Sequence, residues 1–260
     1  MTNITVTHAA SGVMRAEVAR TVRISPNLQR VTLTGADLAR LEWRGFDQWV
    51  RLFLPTADER SLEHVPERMT RASYLRMMAT PARLRPTVRS YTLREWRADD
   101  GELDIDFVVH GTDGVAGPWA QAAAAGDRVA LLDQGCGWPE PTATNLLLCA
   151  DETGLPAVLG VLRDLPASAS GHALIEVCDL ADAQPVTAPA GVAVQWLVRP
   201  PGSRPGQQLL RELAALTLPD QDRYAFAVGE SGLATGVRRH LVRERGWAKD
   251  EVTFCGYWKQ

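Results

Sequence analysis

The hydrophobic period changes halfway along the chain, and that change limits the fold more than any single motif does. TNLLLCADETGLPAVLGVLRDLP reads as an apolar strand, Leu146 to Ala150, then a turn, then a helix from Leu155 to Leu165 whose apolar positions recur at three and four. The theme repeats through strands HALIEVCD and VAVQWLVR, helix GQQLLRELAAL, strand YAFAVGE, helix SGLATGVRRHLVRERG and strand EVTFCGYW. Strands that alternate with helices call for a parallel sheet covered on both faces.

The first half has a different rhythm. EVARTVRISPNLQRVTLTGA holds two β-branched runs, Val18 to Ile24 and Leu28 to Thr34, separated by Ser25, Pro26 and Asn27. QWVRLFLP, RSYTLREW, GELDIDFVVH and DRVALLDQG supply four more. Six short strands with few helices between them predict an antiparallel barrel or sandwich. Between Ala57 and Thr87 lies a basic, Met-bearing insert with a short helix expected around Arg68 to Met78, read as a surface excursion that packs one apolar stripe on the barrel. CGWPEPTAT has the composition of a linker, so the division falls at 1–138 and 139–260.

With 260 residues, 45% of them hydrophobic and 23% charged, and a net charge of −3, the chain has no bulk charge to select nucleic acid. No apolar run reaches the roughly 18 residues of a membrane span. MTNITVTHAASGVMRAEV lacks a basic leader with an apolar core behind it, and a cytoplasmic location is the expectation. Cys136, Cys149, Cys178 and Cys255 are too far apart for a metal motif and read as separate, mostly buried thiols. GCGWPE precedes its strand and lacks the third glycine of a dinucleotide turn, and GESG is no esterase elbow.

Two elements carry chemistry. RSYTLR offers two guanidiniums, a phenol and a hydroxyl within six residues, the donors that a diphosphate needs beside an aromatic ring for a flat heterocycle. A barrel strand with solvated arginines and a core tyrosine is the competing reading. DFVVHGTDGVAGPWAQAAAAGDRV runs from a strand into a loop with Gly111, Gly114 and Gly117, and Pro118 then opens an Ala-rich helix whose free N–H groups suit an anion. Two phosphate-suited elements on one barrel point to a dinucleotide such as FAD.

RSYTLR, VVHG with its Gly-rich turn and Trp-Ala helix, DETGLPA, AVGES and the closing GYWK occur in order from about Val18 to Lys259. Together they resemble the siderophore-interacting protein family, FAD-containing ferric-siderophore reductases related to ferredoxin–NADP reductases. The resemblance implies a six-stranded antiparallel Greek-key β-barrel followed by a parallel α/β nucleotide-binding domain. It gives Arg89, Tyr91, Thr92 and Arg94 to the flavin, with Tyr91 against the isoalloxazine, and adds Val109, His110, Gly114 and Gly117. Gly117 stands where the family usually has serine, so a hydroxyl contact to phosphate is missing and backbone donors remain. Trp49 replaces a family histidine, while Arg51 keeps a basic charge that with Lys259 lines the substrate mouth.

In the second domain the resemblance assigns Asp151 and Thr153, at the end of the first strand, to NAD(P)H. Thr153 is a donor to phosphate; Asp151 and Glu152 read as caps of the following helix. Gly229 and Glu230 would face the nicotinamide, and Tyr257 and Trp258 would pack near the flavin. Asp179 favours a free ribose hydroxyl and Arg199 or Arg204 a 2′-phosphate, with the family leaning to NADPH. The implied reaction passes electrons from NADPH or NADH through FAD to a ferric siderophore, releasing Fe(II), in a monomer with no resident metal. The alternatives are a reductase whose acceptor is free flavin or a redox protein, and a flavin-free siderophore-binding module.

Overall fold

The computed structural model describes residues 2–56, 59–109 and 114–260. Seven antiparallel strands come first: β1 (Val13–Ser25), β2 (Leu28–Thr34), β3 (Trp49–Leu54), β4 (Thr87–Thr92), β5 (Glu95–Arg97), β6 (Glu102–Val108) and β7 (Arg128–Asp133). They lie in the order β4-β3-β7-β1-β2-β6-β5. β4 and β5 are consecutive in the chain yet stand at opposite ends of this order, so the sheet closes on itself.

Closure takes two residues. Thr92 still pairs with Trp49 on β3, and the Leu93 N–H donates to the Gln48 carbonyl at 2.7 Å. The next N–H, that of Arg94, donates instead to the Asp104 carbonyl of β6 at 2.8 Å. RSYTLREW, expected as one strand, therefore changes partner in mid-motif, and six predicted strands become seven. β7 sits between β1 and β3 and β6 between β2 and β5, which is the Greek-key crossing. β1 begins five residues earlier than expected because Val13 to Glu17 pair with β7 before the strand turns to β2. Val31, Leu52, Ile105, Phe107 and Leu131 are among the side chains that fill the interior.

The insert holds helix α1 (Arg71–Ala79), started by a reciprocal cap in which the Thr70 hydroxyl accepts from the Ser73 N–H at 3.1 Å and the Ser73 hydroxyl accepts from the Thr70 N–H at 2.8 Å. Its apolar contribution to the barrel is Met77, buried with Leu62 and Val65 against Phe53, Ala130 and Leu132. α2 (Ala116–Ala122) is the Ala-rich helix, with Pro118 in its first turn.

The second half holds β8 (Asn145–Ala150), α3 (Leu155–Asp164), β9 (Ser170–Val177), β10 (Gly191–Val198), α4 (Gln207–Ala215), β11 (Arg223–Glu230), α5 (Ser231–Arg239) and β12 (Val252–Trp258). The strands run β10-β9-β8-β11-β12, every pair parallel. Strand order reverses at β8, and the crevice beyond the carboxyl ends of β8 and β11 is where open sheets of this kind take their ligands. SGLATGVRRHLVRERG is not one continuous α-helix: α5 ends at Arg239 and a wider turn, His240–Glu244, follows.

The two sheets share a seam. Leu28 and Trp138 are buried with Leu155, Leu159 and Leu162 of α3, and a Cβ on Gly160 would stand 1.9 Å from the Phe46 carbonyl oxygen, so only glycine allows this approach. The buried Asp182 carboxylate accepts from the Ser25 hydroxyl at 2.7 Å and the Asn27 N–H at 3.0 Å, pinning the β1–β2 turn. Asp47, also buried, accepts from the N–H groups of Gly137 (3.0 Å) and Trp138 (2.9 Å) in the linker.

Candidate functional site

Strand alternation sorts the β4 motif into two sets. Arg89 pairs with Leu52 and Tyr91 with Val50, both on the barrel's interior face; Ser90 pairs with Arg51 and Thr92 with Trp49 on the other. The Tyr91 ring lies 4.2 Å from Phe107, whose ring lies 5.6 Å from Trp119 of α2. These contacts join the two elements that the sequence presents separately. Burial there raises the Tyr91 phenol above its ordinary range. Arg89 is exposed, and among the described residues its guanidinium donates to the Val88 carbonyl at 2.9 Å, which uses one of five N–H groups.

Across from that motif, Val109 is buried and its N–H donates to the Asn27 carbonyl at 2.8 Å. Gly114 has φ +84° and open space where a side chain would be, and a Cβ on Gly117 would meet the Val108 carbonyl oxygen at 3.3 Å. His110 lies outside the described residues. The buried Nε of Arg94 has no hydrogen-bond partner among the described residues and lies 3.7 Å from Asp106, the Arg94 carbonyl accepts from Arg163 of α3, and burial lowers the Arg94 pKa.

At the carboxyl ends of β8 and β11 the donors converge on Asp151. This fully buried carboxylate accepts from the Thr153 N–H (2.9 Å) and hydroxyl (2.5 Å), the Gly154 N–H (3.3 Å), the Glu230 N–H (2.7 Å) and the Trp258 indole (3.2 Å). Burial and the neighbouring Glu152 charge raise its pKa, against the pull of those bonds. Gly229 has φ +129°, and a Cβ there would press to 2.5 Å from the same carboxylate. The Glu230 carboxylate caps α5 at the N–H groups of Gly232 and Leu233. Tyr257 is exposed. Arg51 and Lys259 are exposed.

Glu152 does not cap α3. It pairs with Arg199, which also donates to Glu176 at 3.1 Å, while Glu176 accepts from the Gly206 and Leu209 N–H groups ahead of and within α4. Burial works to lower the Arg199 pKa and the Glu152 bonds more than reverse it. Cys178, exposed beside them, is pushed up to about 11 by burial and by its bond to Glu152. Cys136 and Cys149 are buried and Cys255 partly so. Arg204 is exposed.

Comparison with known proteins matches both halves. The siderophore-interacting FAD-binding domain model covers residues 17–137, and the siderophore-interacting protein model covers residues 143–260. The chain belongs to the siderophore-interacting protein family. Among its relatives, ferric vibriobactin reductase ViuB of Vibrio cholerae is 30% identical over 241 residues, 91% of this chain and 86% of the relative. NADPH-dependent ferric-chelate reductase of Escherichia coli is 31% identical over 248 residues, 93% and 91% of the two chains. A siderophore utilization protein from T. fusca has a solved structure that superposes with a TM-score of 0.81 at 33% identity, covering 100% of this chain and 97% of that one. Ferredoxin reductases share the two-domain fold.

The residues fit the FAD that this family's first domain binds. Among the described residues Arg89 spends one of its five donors, Tyr91 is half-buried beside Phe107, and the backbone at Gly114 is open to close approach. Sequence reasoning missed Asp47, Glu176 and the Phe107–Trp119 ladder. Asp47 and Gln48, both buried between Phe46 and Trp49, were the legible sign: two polar residues in an apolar run mark an internal hydrogen-bond site.

Proposed function

We propose that this chain is an NAD(P)H-dependent ferric-siderophore reductase that works through FAD. NAD(P)H yields two electrons as a hydride and each ferric chelate takes one, so FAD, when bound, supplies the step between pair and single-electron transfer. One NAD(P)H then reduces two ferric chelates and releases one proton. Fe(II) has less charge to hold hard oxygen ligands and leaves the chelate.

The residues divide these tasks. Arg89 would meet the diphosphate with its planar fork, helped by backbone N–H groups around Gly114 and Gly117. Tyr91, braced by Phe107, would give the isoalloxazine a fixed wall, with Val109 and His110 as the second flavin-contacting stretch and Thr92 at the ring edge. Arg94, directed to the seam, would serve the flavin through strand position rather than by contact. Asp151 would orient the dinucleotide crevice by holding Thr153, Gly229, Glu230 and Trp258 in one arrangement. With Arg199 spent on two carboxylates, Arg204 is the guanidinium left for a 2′-phosphate. Arg51 and Lys259 would draw an anionic ferric chelate to the exposed edge.

The reading takes residues 1–138 and 139–260 as the two domains. A single chain supplies both ligand regions, which supports a monomer, and the need for NAD(P)H supports a cytoplasmic location. The observation that supports the reading most is the contact of Tyr91 with Phe107 and of Phe107 with Trp119, which brings the two flavin-suited elements of the barrel together. The reading is tested by mixing the FAD-loaded protein with NADPH or NADH, a ferric siderophore and a ferrous-specific chelator. Coloured ferrous complex should form only when all are present. Failure to form it, with electrons passing instead to free flavin or to a redox protein, would contradict it.

A further inference from the structure

Between Arg68 and Arg89 the chain carries six arginines and no acidic residue, although its net charge is −3. α1 lies within this stretch and turns Met77 inward, but it leaves Tyr74 41%, Leu75 67% and Met78 40% exposed. At 100° per residue, Tyr74, Met78, Arg71 and Leu75 follow one another round the helix over roughly a quarter turn, while Arg76 stands on the far side of the helix from the middle of that arc. The Arg85 guanidinium adds to the patch, 3.9 Å from the Met78 sulfur.

The shape of this face discriminates among ligands. A small chelate needs a concavity that surrounds it, whereas these side chains project from a convex helix, and the cavities beside His8 and Trp119 are lined without any α1 residue. Apolar tips set among guanidiniums suit a lipid interface, where the tips enter the acyl boundary and the guanidiniums meet headgroup phosphates. We propose that the outward face of α1 docks this protein reversibly on an anionic bilayer. The inference goes beyond the reductase reading and does not rest on it. Because Arg85 stands just ahead of β4 and Arg89 within it, docking would hold the flavin strand close to the membrane surface.

The test is cosedimentation of the full-length, FAD-loaded protein with vesicles at low salt. Vesicles of equal parts phosphatidylcholine and phosphatidylglycerol should carry the protein down and pure phosphatidylcholine should not. About 1 M salt, where the screening length falls to ~3 Å, should release it. Arg71→Ala and Arg85→Ala should each weaken binding about fivefold, the ~1 kcal/mol of one basic side chain near an anionic surface. Leu75→Ser should weaken it about tenfold, with helix content and FAD retention unchanged in all three. Arg243→Ala, exposed beyond α5, is the control for bulk charge and should change nothing. The proposal fails if anionic vesicles leave the protein in solution, if Arg243→Ala loses as much as Arg71→Ala, or if the protein binds polyglutamate and ignores lipid.

Discussion

The barrel and the parallel sheet approach their ligands in opposite states. On the barrel, the exposed Arg89 spends one donor on a neighbouring carbonyl, and Gly114 leaves open backbone. In the crevice the polar groups are already committed: Thr153 and Trp258 to Asp151, Glu230 to the start of α5, and Arg199 to Glu152 and Glu176. Unspent donors gain fully from a bound phosphate, whereas spent ones must exchange a bond to gain one. The difference is the one expected between a resident cofactor and a co-substrate that must leave after every turnover.

The comparison is strained hardest at Asp151. Replacing it by alanine removes the acceptor for five donors, and urea unfolding should report a loss of about 3–5 kcal/mol; a loss below about 1 kcal/mol would mean that the crevice is not organised around it. Next comes Asp47 at the seam, whose carboxyl is raised to about 6 by burial, against the opposing bonds from Trp138 and Gly137. A raised acid binds its proton more tightly in the folded state, so its contribution is fully present below the unfolded value near 4 and is lost as pH rises through about 6. Stability should therefore fall by up to about 3 kcal/mol across that window. Asp47→Asn should flatten the slope.

Smaller effects separate the two regions. Arg89→Ala should weaken FAD retention about 10- to 100-fold, the value of charge-assisted bonds to phosphate, while the unfolding midpoint of the flavin-free protein stays put. A flavin titration checks it, and unchanged affinity would return RSYTLR to an ordinary solvated strand. Thr153→Ala should raise the KM for NAD(P)H by less than about fivefold, because its hydroxyl already belongs to Asp151. A loss as large as that of Arg89→Ala would remove the contrast.

Much of the architecture was legible because hydrophobic period reports burial directly. All five parallel strands and the Leu155 helix stand where apolar spacing put them. The break at Leu93 and Arg94 was not legible, since it depends on which neighbours, Gln48 and Asp104, offer carbonyls as the barrel closes. In the site, the motif positions were readable but their commitments were not: Glu152 meets Arg199 across 47 residues of sequence, and Asp151 gathers donors from three segments. Spacing shows which residue types are near one another in the chain. It carries no trace of partners supplied by another strand end.

The contrast between the two regions is tested most directly by one desalting column. Protein incubated with excess FAD and NADP+ should emerge yellow, with stoichiometric FAD and no NADP+. Loss of the flavin together with the dinucleotide, or retention of NADP+, would contradict the account.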